Sequence, residues 1–288
     1  MTIRHHIKFV TAAMRHLAET SAHRMAAPRA LLDFSNATDD PLEAYYRSRG
    51  NPFILRMPAD KCYNIGFPGA CPNNPFVTTL KAYGQGLCPR YQGSPLHHFY
   101  EFWQPVDRSV DTGSRSYPWH DRYLREDQRI AARVKTWEFK RIRHRLGHDT
   151  ADLSGHFGHG PVSVAMGEIT FARFTQIYDS IRRKGLRPFR AGRRNIVGSI
   201  LVRGNDYRAL IGSGKHRAAA LLALEYERIP VQFGPSRFPA IVRREDAASW
   251  PTVRDGHYTE REAITLFDHI FSDTHPSNWT WPPPKDQA

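Results

Sequence analysis

The chain is poor in cysteine, poor in acid and without a long apolar run. Three cysteines among 288 residues cannot staple a chain of this length, so a disulfide framework is excluded and a cytoplasmic, reducing setting is expected. No stretch approaches the ~18 consecutive apolar residues of a membrane-spanning helix. The mean hydropathy is −0.56. Both observations exclude an integral helical membrane protein. Gly 20 and Pro 21 are ordinary counts, which excludes collagen-like and low-complexity classes. What is present is a globular composition: 40% hydrophobic and 12% aromatic residues, too rich for wholesale disorder and long enough to bury a sizeable core.

The shortage of acid is the first positive clue. Lys+Arg 41 against Asp+Glu 28 gives a net charge of +13. Such a balance favours polyanionic partners: nucleic acid, an anionic membrane surface or a phosphorylated small molecule. The charge is unevenly spread. Arg182, Arg183, Lys184, Arg187, Arg190, Arg193 and Arg194 place seven bases and no acid in residues 182–194. Residues 245–288 reverse the sign, with eight acids against three bases, which does not suit a uniformly basic nucleic-acid wrapper.

Residues 1–32 read as a basic amphipathic helix, because Ile3, Ile7, Val10, Met14 and Leu17 recur at helical spacing beside Arg4, Lys8, Arg15, Arg24 and Arg29. Such a helix could dock on a partner or at the inner face of an anionic membrane. No apolar core follows its basic start, so a secretory signal is not expected. Residues 33–118 form a loop-rich aromatic region, with short helices around Asp40–Arg49 and Leu96–Trp103 and many Pro and Gly punctuators. Residues 119–150 read as a charged helical connector. Residues 151–272 are the most regular part and predict a small mixed α/β domain, followed by a tail, 273–288. The overall class is therefore α+β, with an irregular, mostly helical N-terminal region.

Within 151–272, Phe171, Phe174, Ile177, Tyr178 and Ile181 mark an amphipathic helix that Gly185 stops. Ile196–Val202 and Tyr207–Ile211 predict two strands joined by a tight Gly204-Asn205 turn. A helix follows from Lys215 to about Leu224, then short strands at Ile229–Phe233 and Ala240–Val242. Thr259 and Glu262 have the spacing of a capping box before a last helix with Ala263, Leu266, Phe267 and Ile270 on one face.

The sharpest motif is Gly212-Ser213-Gly214-Lys215-His216-Arg217, between a strand and a helix. Glycines let the backbone turn and approach a ligand closely. The first N–H groups of a helix point past its end, and the dipole adds positive potential there. Lys215, His216 and Arg217 add donors on the same turn. This predicts a phosphate or small-anion site. It is not a Walker A loop, because position 209 is Ala and His216 follows the lysine. It is not a dinucleotide fingerprint either, with one short Gly-x-Gly.

The run Ile211–Arg217, followed by Ala218, Ala219, Ala220, Leu221 and Leu222 and then by Glu227-Arg228-Ile229-Pro230-Val231, resembles the ParB/sulfiredoxin-like nucleotide-binding fold. The helix ending Ser180-Ile181-Arg182-Arg183-Lys184-Gly185 is similar to that family's preceding helix. The resemblance covers roughly residues 155–245. It implies a nucleoside di- or triphosphate held by Gly212, Ser213, Gly214, Lys215, His216 and Arg217, with magnesium when a triphosphate is bound. Lys215 stands where sulfiredoxins carry their cysteine and where partition proteins carry a glutamate, so neither sulfinic-acid repair nor CTP hydrolysis is implied. Free-serine kinases of this fold use a similar His-Arg box, with a carboxylate before the first helix as general base. The resemblance thus implies a kinase-like phosphotransferase with His216 as donor or proton carrier and Glu168 as base. The alternatives are a non-catalytic nucleic-acid binder and a peripheral membrane or scaffold accessory.

Three further groups stand out in the sequence. Cys62, Cys71 and Cys88 with His97 or His98 lack the tight knuckle spacing of a zinc site, and no metal site is expected. Gly155-His156-Phe157-Gly158-His159-Gly160 reads as an interdomain turn or a mobile active-site loop. Trp250, Phe267 and Phe271 read as core.

Overall fold

The computed structural model of the chain describes residues 30–69, 71–104, 117–120, 137–149, 151–156, 158–187, 195–234, 238–272 and 279–282. Helices pack on a mixed sheet, so the α+β class holds. At the centre of the sheet lies the hairpin β7 (Val197–Arg203) and β8 (Asp206–Ser213), paired antiparallel around Gly204-Asn205. Its side chains alternate as a doubly covered strand requires. Ile200, Val202, Ala209 and Ile211 enter one core, while Leu201 and Leu210 enter the other.

The rest of the sheet comes from both ends of the chain. β9 (Arg228–Phe233) lies parallel beside the start of β7, and β10 (Ile241–Arg243) takes up the same edge of β7 further along. β2 (Phe53–Pro58) pairs antiparallel with β9 over its whole length, and β1 (Leu32–Asp33) closes that side. On the other side β3 (Cys62–Asn64) runs parallel to β8, and β4 (Phe67–Pro68) pairs with β3. Residues 32–68 and 197–243 therefore share one sheet. Among its described residues the segment 33–118 is more regular than its punctuation predicts, carrying strands β1 to β4 and the helices α1 (Pro41–Ser48), α2 (Pro75–Gly84) and α3 (Pro95–Phe102).

Helix α4 (Trp137–Arg145) falls within the expected charged connector. Helix α5 (Val164–Lys184) ends at Gly185, whose φ of +67° is the left-handed stop that the sequence predicts. The main core joins α2, α3, α5 and α6 (Lys215–Ala223) to one face of the sheet. A second core on the opposite face holds Trp119, Trp250, Phe267 and Phe271 under α7 (Pro251–Arg254) and α8 (Glu260–His269), as expected for those aromatics. Thr259 and Glu262 form the reciprocal capping box. Ile142 of α4 packs on Met166 and Ile169 of α5.

Two expectations meet the edge of the described chain. The basic helix expected over 1–32 lies outside it except for its last residues, and there Leu32 opens strand β1. Of the tail, Trp279 is buried against Phe99 and donates its indole N–H to His98 Nδ1 at 3.0 Å. No helix among the described residues is long and apolar enough to cross a membrane.

Candidate functional site

The site is built where β8 gives way to α6. Gly214 is the residue before the helix, in the left-handed region at φ +74°. A Cβ there would lie 2.9 Å from the Cα of Ile196, so both the backbone conformation and the space demand glycine. At Gly212 a Cβ would meet the ring of Phe238 at 2.6 Å. The two glycines thus let neighbouring chain close on the turn while Lys215 starts the helix.

Lys215, His216 and Arg217 fill the first turn, and all three are half-buried. The His216 ring lies on Phe174 of α5, with centroids 4.3 Å apart. The Arg217 guanidinium folds back across the helix start and donates to the Asn195 carbonyl at 3.2 Å. Asn195 in turn donates its amide to Gln232 on β9. The first turn of α6 contains no acid. That is an electrostatic inversion. A helix N-terminus favours negative charge and disfavours positive, by ~0.3–1 kcal/mol per group. Acid opens α1, with Glu43, and α8, with Glu260 and Glu262; α2, α3, α5 and α7 begin without acid, and α6 begins with three bases. An anion placed at the α6 start would meet Lys215, His216 and Arg217 on one turn.

A residue that the motif did not reveal completes this end of the sheet. Asn64, at the end of β3, is 1% exposed and donates Nδ2 to the Lys215 carbonyl at 3.0 Å. Its Oδ1 has no hydrogen-bond partner among the described residues. The two residues are 151 apart in sequence, and no local signal connects them.

The structure brings Gly212 to Arg217 together but does not bring Glu168 to them. Glu168 lies six residues before Phe174 on α5, about 9 Å along the axis and on another face. Its carboxylate is taken up elsewhere. Gln92 Nε2 donates to Oε1 at 2.8 Å, and His148 Nε2 meets Oε2 at 2.5 Å. The Gln92 bond and then the His148 pair hold the carboxyl below its ordinary value, against the opposing effect of partial burial. This carboxylate clasps the end of the α4 segment to α5.

Gly155–His156 and His159–Val162 form a hairpin against α3, where the Gly160 N–H bonds the Trp103 carbonyl at 2.8 Å. A Cβ at Gly160 would lie 1.7 Å from the Tyr100 carbonyl oxygen, so the hairpin is pinned by close packing. Cys62, Cys71 and Cys88 are unpaired thiols, and burial pushes Cys62 up to about 12, which makes it unreactive. Among the described residues no group of three or more His, Cys, Asp or Glu gathers as a metal site. Of the basic run 182–194, Arg182, Arg183, Lys184 and Arg187 are exposed, and Arg190, Arg193 and Arg194 lie outside the described residues.

Comparison with known proteins gives no match: no family model, no curated protein and no solved structure matches the chain.

Proposed function

We propose that the chain binds a nucleotide or another phosphorylated small molecule at the start of α6. The observation that carries the reading is the cluster of Lys215, His216 and Arg217 on a helix end that contains no acid. Main-chain N–H groups and the dipole would receive the phosphate, with the lysine and arginine closing on its oxygens. Three or four charge-assisted hydrogen bonds at ~1.5–3 kcal/mol each are enough for millimolar to micromolar binding. His216, held by Phe174, would donate from the same turn. The resemblance to the ParB/sulfiredoxin-like fold points the same way. The kinase-like step implied by that resemblance needs a base at the loop, and Glu168 is occupied elsewhere, so the proposal is confined to binding. A magnesium ion would enter on the phosphates of a triphosphate.

Calorimetry with ATP, ADP and CTP tests this. At least one should bind in the micromolar to millimolar range, and Lys215→Ala and Arg217→Ala should each weaken it about tenfold or more. Absence of binding to all three would remove the reading.

A second reading, nucleic-acid binding, is favoured by one observation. Lys140, Arg141 and Arg145 are exposed on α4, and Arg182, Arg183 and Lys184 are exposed at the end of α5. If these bases neutralise backbone phosphates, affinity for duplex or single-stranded DNA should fall steeply as salt rises. A flat salt response would dismiss it.

A further inference from the structure

The orientation of the Asn64 amide is fixed by its neighbour. The Lys215 carbonyl can only accept, so the amide must turn Nδ2 toward it, and Oδ1 is left as a buried acceptor. Buried polar atoms in native proteins nearly always find a donor, in the protein, in water or in a ligand. Asn64 also lies in the right place for a ligand. It follows the Tyr63↔Leu210 pair by one step, so it runs alongside β8 just before Gly212. Cys62 belongs to the core on the α6 side and Tyr63 to the opposite one, which returns Asn64 to the α6 side. The unsatisfied acceptor is therefore buried against the first turn of α6, on the side chain that holds the Lys215 carbonyl.

We propose that Asn64 Oδ1 accepts a hydrogen bond from a hydroxyl of the phosphorylated ligand, so that the site takes hydroxylated phosphate esters, such as polyol or sugar phosphates or the ribose phosphate of a nucleotide. The inference rests on the phosphate-binding reading above. The two parts divide the recognition: the α6 start holds the phosphate, and Asn64 distinguishes an ester with a hydroxyl from one without. A site that hydrogen-bonds a substrate hydroxyl rejects the analogue lacking it, because the protein group is then left unpaired.

The test compares three probes on the full chain: inorganic phosphate, glycerol 3-phosphate and n-propyl phosphate, titrated by calorimetry or nuclear magnetic resonance. Glycerol 3-phosphate should bind about tenfold more tightly than n-propyl phosphate. In Asn64→Ser and Asn64→Ala, checked for folding by circular dichroism, the two esters should bind alike while inorganic phosphate still binds. Equal affinities in the unmodified chain would overturn the inference and leave the phosphate site standing, with a water molecule as the partner of Oδ1. Binding of none of the three would overturn the phosphate reading and this inference with it. The unmodified chain decides the matter even if a variant fails to fold.

Discussion

Lys215, His216 and Arg217 work against the helix that they begin. Each base faces the positive end of the α6 dipole, and no acid in the first turn relieves it. Lys215→Glu should therefore stabilise the protein, by about 0.5–1 kcal/mol in urea denaturation, while abolishing phosphate binding. Opposite signs in the two measurements are the mark of a residue kept for a ligand; a merely solvated lysine would move the stability alone. Gly214 obeys the contrary logic. Its left-handed backbone and its approach to Ile196 leave no room for a side chain. Gly214→Val should cost about 2–4 kcal/mol of stability by chemical denaturation, from backbone strain together with overpacking. At this scale the sequence was informative where function is written in adjacent residues. The Gly-x-Gly and the three bases could be read directly. Glu168 could not be placed, because Gln92 and His148, which hold its carboxylate, are 76 and 20 residues away. Asn64 was invisible for the same reason.

Among the elements, the start of α8 is fully legible, because a capping box is a local pattern. Thr259→Ala should destabilise by about 1 kcal/mol, seen as a lower denaturation midpoint. The clasp between Glu168 and His148 predicts a pH dependence. The folded carboxyl is held below its ordinary value of 4.5, first by Gln92 and then by His148. Its stabilisation is thus fully present above 4.5 and fades as pH falls through the lower folded-state value. Glu168→Gln should be less stable than the unmodified chain at neutral pH, with the gap closing on acidification. A gap that stayed constant with pH would refute the clasp. The helix α2 was also signalled, by Asn74 followed by Pro75, a cap and a first-turn proline. That pair reads equally well as loop punctuation. Strands β1, β3 and β4 run only two or three residues each. β2 alternates Phe53, Leu55 and Met57 toward the main core, but Ile54 is buried as well, which blurs the pattern. Its partner β9 lies some 175 residues on, with Leu55 opposite Val231. Pairing over such distances is decided by packing and leaves no local trace.

Across the whole molecule, the sheet binds the two halves of the chain, and Trp279 ties down part of the C-terminal segment. Its ring is 2% exposed and meets Phe99, which is itself fully buried in the main core. Trp279→Ala should cost about 3–5 kcal/mol, far more than a surface tail residue would, and thermal unfolding measures it. The sequence reads 273–288 as a tail; the burial of Trp279 ties part of it to the core. The charge of +13 belongs to this scale too: it names a class of anionic partner without choosing one. The choice rests on the α6 start. A crystal structure of the full chain grown with ADP tests that claim most directly. Phosphate density is expected within hydrogen-bonding reach of the main chain at Gly214 to Arg217, with Lys215 turned toward it. Phosphate density at any other place, with that turn bare, would contradict it.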